Sequence, residues 1–172
     1  TGKYALANKY DGIYLTNAIG NQIGSQNNGF GNVISGNLQS GILLVGNANS
    51  NLIKGNLIGV DLAGTNAVPN KVNGIIISGG SANKIGGTKS GEANVISGNA
   101  TNGIYIRLTN DCFNVIAGNF IGTDITGQFA LSNGSSGLII SGSTNTIGGG
   151  NIISGNGQTG LALVGTNGSA AG

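Results

Sequence analysis

The chain has 172 residues, enough for one domain, and its 35 glycines and 26 asparagines set it apart from ordinary globular composition. A single proline, no glycine at every third position and 38% hydrophobic residues in a fixed pattern exclude collagen and argue against a disordered chain. With 7% charged residues, a net charge of +2, no histidine and one cysteine, the sequence offers no basic face for nucleic acid, no internal disulfide and no zinc thiolate cluster.

Asn8, followed four residues later by Gly12, opens the first unit, and Gly12 begins the strand Gly12-Ile-Tyr-Leu15. A second strand is centred on Ile23, two residues after Asn21. The segment Asn32-Val-Ile-Ser-Gly-Asn37 leads into the next pair, Asn37/Gly41, with the strand Gly41-Ile-Leu-Leu44 and a second strand at Ile53 after Asn51. Asn70/Gly74 begins Gly74-Ile-Ile-Ile77, followed by Ile85 after Asn83. The segment at Asn32 then returns as Asn94 to Asn99, and Asn99/Gly103 begins Gly103-Ile-Tyr-Ile106, followed by Ile116 after Asn114. Asn133/Gly137 begins Gly137-Leu-Ile-Ile140, followed by Ile147 after Asn145. The segment returns once more, with Ile for Val, as Asn151 to Asn156, and Asn156/Gly160 opens Gly160-Leu-Ala-Leu163.

The glycines lie 29, 33, 29, 34 and 23 residues apart, so long and short units mostly alternate. A longer period contains them. Thr1 to Asn8 returns as Thr126 to Asn133 with Ala63 to Asn70 as a weaker middle copy, and Gly2, Gly64 and Gly127 mark that phase 62 and 63 residues apart. The spacing predicts one all-β domain over residues 1–172, a parallel β-solenoid of about five to six coils with three short strands each, in a two-coil repeat.

Side chains alternate across a strand, and one set is always aliphatic: Ile13/Leu15, Ile42/Leu44, Ile75/Ile77, Ile104/Ile106, Leu138/Ile140 and Leu161/Leu163. Stacked about 4.8 Å apart, these residues form inward columns. Glycine and asparagine suit turns that need positive φ, and Asn8, Asn37, Asn70, Asn99, Asn133 and Asn156 are placed to hydrogen-bond from coil to coil as a ladder. With Gly12, Gly41, Gly74, Gly103, Gly137 and Gly160 they form the expected structural turn ladder. A helical reading fails because glycine recurs too often, at about 1 kcal/mol for each interior glycine.

The phrases Asn-Val-Ile-Ser-Gly-Asn, Asn-Gly-Ile-x-Ile and Gly-Asn-x-Ile-Gly-x-Asp-x-x-Gly, the last at Gly55 to Gly64 and Gly118 to Gly127, resemble the right-handed parallel β-helix repeats of large bacterial surface proteins. The resemblance covers essentially the whole chain and implies fold, handedness and an extracellular or cell-surface setting. It does not imply one function, because the same scaffold carries pectate-lyase-like enzymes, phage tailspikes, adhesins and inert stalks.

Chemistry is sparse. The acids are Asp11, Asp61, Glu92, Asp111 and Asp124. Asp61 and Asp124 obey the repeat two coils apart, roughly 10 Å by stacking distance, which reads as a repeated turn residue rather than a glycosidase pair. No cofactor is expected; calcium would have only Asp61 or Asp124 with backbone carbonyls to hold it. Arg107 and Asp111 depart from the repeat and form the alternative binding site, and Cys112 reads as a small side chain in a surface turn.

The outward position of the first strand is Tyr14, Leu43, Ile76, Tyr105, Ile139 and Ala162, an apolar stripe and a candidate partner contact. Neither Thr1 nor Gly172 sits in a capping element, so the chain reads as a segment of a longer array or a subunit that stacks into a filament. No apolar run approaches the roughly 20 residues that span a bilayer, so membrane insertion is not expected. The resulting expectation is a non-enzymatic structural rod of a secreted or surface protein, stacking end to end or running on into adjoining repeats. A carbohydrate-binding or polysaccharide-degrading module is the alternative.

Overall fold

The computed structural model describes residues 4–25, 31–107 and 112–165, and the regular structure in them is entirely β-strand. The strands come in threes. β1 (Ile13–Thr16), β2 (Gln22–Gly24) and β3 (Val33–Ile34) are followed by β4 (Ile42–Val45), β5 (Leu52–Lys54) and β6 (Leu57–Ile58). Next come β7 (Ile75–Ser78), β8 (Lys84–Gly86) and β9 (Val95–Ile96), then β10 (Ile104–Arg107), β11 (Val115–Ala117) and β12 (Phe120–Ile121). β13 (Leu138–Ser141), β14 (Thr146–Ile147) and β15 (Ile152–Ile153) precede a final strand, β16 (Leu161–Val164).

Each strand pairs in parallel with the strand three places on, which makes three sheets. Sheet A is β1-β4-β7-β10-β13-β16, sheet B is β2-β5-β8-β11-β14, and sheet C is β3-β6-β9-β12-β15. The fold is a parallel β-solenoid. Five coils of three strands are complete, and the sixth contributes only its first strand, β16.

The register sets the core. In sheet A, Leu15, Leu44, Ile77, Ile106, Ile140 and Leu163 stand in one column. Ile23, Ile53, Ile85 and Ile116 form a column in sheet B, and Ile34, Ile58, Ile96 and Ile121 form one in sheet C. All of these except Leu163 are buried. A short strand of two or three residues has little stability alone; here each inward isoleucine adds about 1.5–3 kcal/mol of apolar burial, and its neighbours in the column share the same surface.

Polar side chains line the corners. Between sheets C and A, Asn8, Asn37, Asn70, Asn99, Asn133 and Asn156 form the expected ladder, each Nδ2 donating to the Oδ1 of the next at 2.7–2.9 Å. Two further ladders stand at the other corners. Asn21, Asn51, Asn83, Asn114 and Asn145 join sheets A and B at 3.0–3.1 Å. Asn32, Asn56, Asn94, Asn119 and Asn151 join sheets B and C at 2.9–3.1 Å. Interior rungs also donate to main-chain carbonyls, as Asn94 Nδ2 does to Ile53 O, and no buried side-chain nitrogen or oxygen is left without a partner among the described residues.

Positive φ is not what the ladder residues supply. None of the ladder asparagines, and none of Gly12, Gly41, Gly74, Gly103 and Gly137, has positive φ. These glycines are needed for space: a Cβ on Gly74 would lie 2.6 Å from the carbonyl oxygen of Gly103 in the next coil. At the corner between sheets A and B a left-handed residue precedes each ladder asparagine, and there it is glycine only at Gly20; elsewhere it is Ser50, Ala82, Phe113 and Thr144.

The ladder geometry sets an expected ranking. Asn114→Ala removes the oxygen that accepts from both the backbone amide and Nδ2 of Asn83, leaving two buried donors. At about 1–3 kcal/mol per orphaned buried group it lowers unfolding free energy by several kcal/mol, whereas Asn21→Ala, on an exposed first rung, costs about 1 kcal/mol. Urea unfolding of the two variants checks the ranking.

Candidate functional site

Extra chain leaves the coil at alternating corners. From sheet B to sheet C the link is eight residues in the coils of β2–β3 and β8–β9, but two in those of β5–β6 and β11–β12. From sheet C to sheet A the pattern reverses: seven residues after β3, β9 and β15, sixteen after β6 and β12. This is the structural content of the two-coil repeat. Both kinds of long link flank sheet C, so its outward face is walled on two sides while the faces of sheets A and B are not.

The walled face is apolar. Its outward residues are Val33, Leu57, Val95, Phe120 and Ile152, one from each strand, in register. The first four of them, with Gly31, Gly55, Gly91 and Ala93 on one side and Leu62 and Ile125 on the other, line a groove of about 370 Å³. This face escapes a sequence reading centred on the first strand of each coil. The signal was present, because the residue between each ladder asparagine and its inward isoleucine at Asn32, Asn56, Asn94, Asn119 and Asn151 is apolar every time.

Two hairpins form one wall. Val60 bridges Ala67 and Thr123 bridges Ala130 in antiparallel pairs. Asp61 closes the first: its carboxylate accepts from the Thr65 amide at 3.0 Å, the Asn66 amide at 3.1 Å and Asn66 Nδ2 at 2.8 Å. Asp124 closes the second, accepting from Thr126 Oγ1 at 2.8 Å and from the amides of Gln128 and Phe129 at 3.2 Å. Burial pushes both carboxyls up, but the side-chain bond from Asn66 or Thr126 and the backbone amides outweigh it, and each pKa ends below the ordinary carboxyl value. The hairpins also touch each other, the Ile125 amide donating to Gly64 O at 3.0 Å. On the opposite wall, Glu92 pairs with Lys54 at 3.2 Å and tethers the long link before β9 to the coil beneath it.

The remaining candidate residues are spread out. Tyr14, Leu43, Ile76, Tyr105, Ile139 and Ala162 share one outward column of sheet A, Tyr14 exposed and the other five half-buried. Arg107 ends β10, exposed, opposite Ser141. Asp111 lies outside the described residues. Cys112 does not sit in an exposed turn: it is 2% exposed, because the left-handed Phe113 turns outward and leaves Cys112 on the covered side. Asp11 accepts from the Ser40 amide at 2.9 Å. Asp11, Asp61, Glu92 and Asp124 thus each hold a local turn or link, and no group of three or more metal-ligating side chains converges among the described residues. What the arrangement offers chemically is adsorption, on the two apolar outer faces of sheets A and C.

Comparison with protein-family models, curated proteins and solved structures finds no match for this chain.

Because the Asp61 and Asp124 carboxyls are held below their ordinary value of 3.8, their contribution is complete above that pH and is lost as pH falls through the lower folded-state values. Amide-exchange protection at Thr65, Asn66, Gln128 and Phe129, corrected for the intrinsic rate, is expected to fall in that window while the ladder amides stay protected. Asp61→Ala should remove the pH dependence at Thr65 and Asn66 and leave it at Gln128 and Phe129.

Proposed function

We propose that this chain is a structural building block of a secreted or cell-surface protein, a rigid β-solenoid rod that stacks end to end or runs on into further repeats. One observation carries the reading. Each coil seals its neighbours' columns, so that Ile140 is 2% exposed, while Leu163, next in the same column on β16, is 66% exposed. The surface that would cover it is another coil of the same kind. The buried ladder asparagines support the same reading, since their side chains are engaged with the coil above or below. A low charge and a main chain hydrogen-bonded from coil to coil suit a durable material outside the cell.

A carbohydrate-binding or carbohydrate-cleaving module is the second reading. It is favoured by the exposed Tyr14 and half-buried Tyr105 on one column, with exposed Arg107 on the same strand as Tyr105, since aromatic faces and a guanidinium suit sugar rings and acidic glycans.

Negative-stain electron microscopy over a concentration series tests the first reading. Thin filaments that lengthen with concentration are expected; monodisperse short rods at every concentration would reject self-stacking. A glycan array probed with the native chain and with Arg107→Ala tests the second, which fails if the native chain retains no glycan.

A further inference from the structure

The three asparagine ladders run in the same direction. At all thirteen links the Nδ2 of one rung donates to the Oδ1 of the rung nearer the C-terminal end. The main chain enforces this orientation. The backbone amides of Asn21, Asn51, Asn83 and Asn114 donate to the next Oδ1 at 2.9–3.1 Å, and those of Asn32, Asn56, Asn94 and Asn119 do so at 3.0–3.3 Å. An N–H can only donate, so the oxygen of each side chain must face the preceding coil and its nitrogen the following one.

The two ends of the stack are therefore chemically different. On the first coil, the Oδ1 atoms of Asn8, Asn21 and Asn32 receive no donor among the described residues, and all three side chains are exposed. On the last rungs, Asn145, Asn151 and Asn156 have only carbonyl acceptors for Nδ2, and no further Oδ1, among the described residues. One end presents a triangle of acceptors and the other a triangle of donors.

The apolar surfaces repeat the distinction. Leu6 is 93% exposed, whereas Val68, which holds the same place one two-coil repeat later, is 6% exposed, lying under Gly36, whose amide donates to Val68 O at 3.0 Å. The interior of the molecule thus shows what fits over Leu6: the outgoing side of another coil.

We infer that the two end faces are a matched pair for a second copy of this chain, which docks head to tail, donor face on acceptor face. Head-to-head contact sets three amide oxygens against three amide oxygens, and tail-to-tail contact sets donors against donors. The contact is heterologous and does not close on itself, so its product is a polar filament. This inference rests on the end-to-end stacking proposed above.

Disulfide trapping of the full chain tests it. In a Cys112→Ala background, Tyr14→Cys and Ala162→Cys are made separately, purified, mixed and oxidised. Both positions belong to the outward column of sheet A and touch none of the ladders. Head-to-tail docking brings β16 beside β1 of the next copy, at a rung spacing of about 4.8 Å, within the roughly 4.4–6.8 Å that a disulfide spans. The expected product is the mixed 14–162 disulfide, in at least tenfold excess over either symmetric one. Predominant 14–14 or 162–162 disulfides overturn the polarity while leaving stacking in place. Absence of any intermolecular disulfide, with monomers in sedimentation, overturns the stacking reading and this inference together.

Discussion

A primary amide buried away from water must find partners for two donors and an acceptor, and in this molecule those partners lie mainly in the next coil. That requirement organises the fold. Asn94 has no exposed surface, yet its oxygen accepts from Asn56, its nitrogen donates to Asn119 and to Ile53 O, and its main-chain amide donates to Asn119 as well. Such a residue is satisfied only if the coils on either side place an asparagine at the same phase. Three ladders at three corners hold the register of the intervening strands, which are too short to hold it themselves. The isoleucine columns provide most of the burial, and the asparagines determine which strand lies over which.

Variation is confined to the places the ladders leave free. The links into and out of sheet C change length from coil to coil without disturbing any rung, and the long ones are stabilised locally, by Asp61 and Asp124 in the hairpins and by the Lys54–Glu92 pair on the opposite wall. Three of the four described acids, Asp61, Glu92 and Asp124, are therefore found where the repeat departs from its shortest form. The apolar floor of Val33, Leu57, Val95 and Phe120 becomes a groove because alternate links rise on either side of it.

The solenoid was legible in the sequence because its rules act at fixed phase: an inward aliphatic pair after each of Gly12, Gly41, Gly74, Gly103, Gly137 and Gly160, and an asparagine four residues before it. The ladder through Asn8 followed from the same phase. The ladder through Asn32, Asn56 and Asn94 was harder to see, because eight residues separate β8 from β9 where two separate β5 from β6, and a fixed period cannot align them. The steric role of Gly12, Gly41, Gly74, Gly103 and Gly137 does not show in the sequence because a clash with the next coil's carbonyl depends on stacking, which one coil's sequence does not express. Cys112 was misplaced for a related reason: a left-handed Phe113 reverses which of two adjacent side chains is covered. The groove over sheet C arises between links that are far apart in the chain, and local pattern does not join them.

Apart from the two hairpins, whose Ile125–Gly64 bond passes over one coil, each coil touches only the coils beside it, and that has a mechanical consequence. Tension drawn along the axis is borne in series, so every junction between coils carries the whole load and a longer stack is no stronger than a short one. The weakest point is an end, where a rung is held from one side only. Such a rod yields by shedding coils one after another from its ends, each release adding a length set by that coil's 23 to 34 residues, and a force ramp would record a sawtooth of unequal steps.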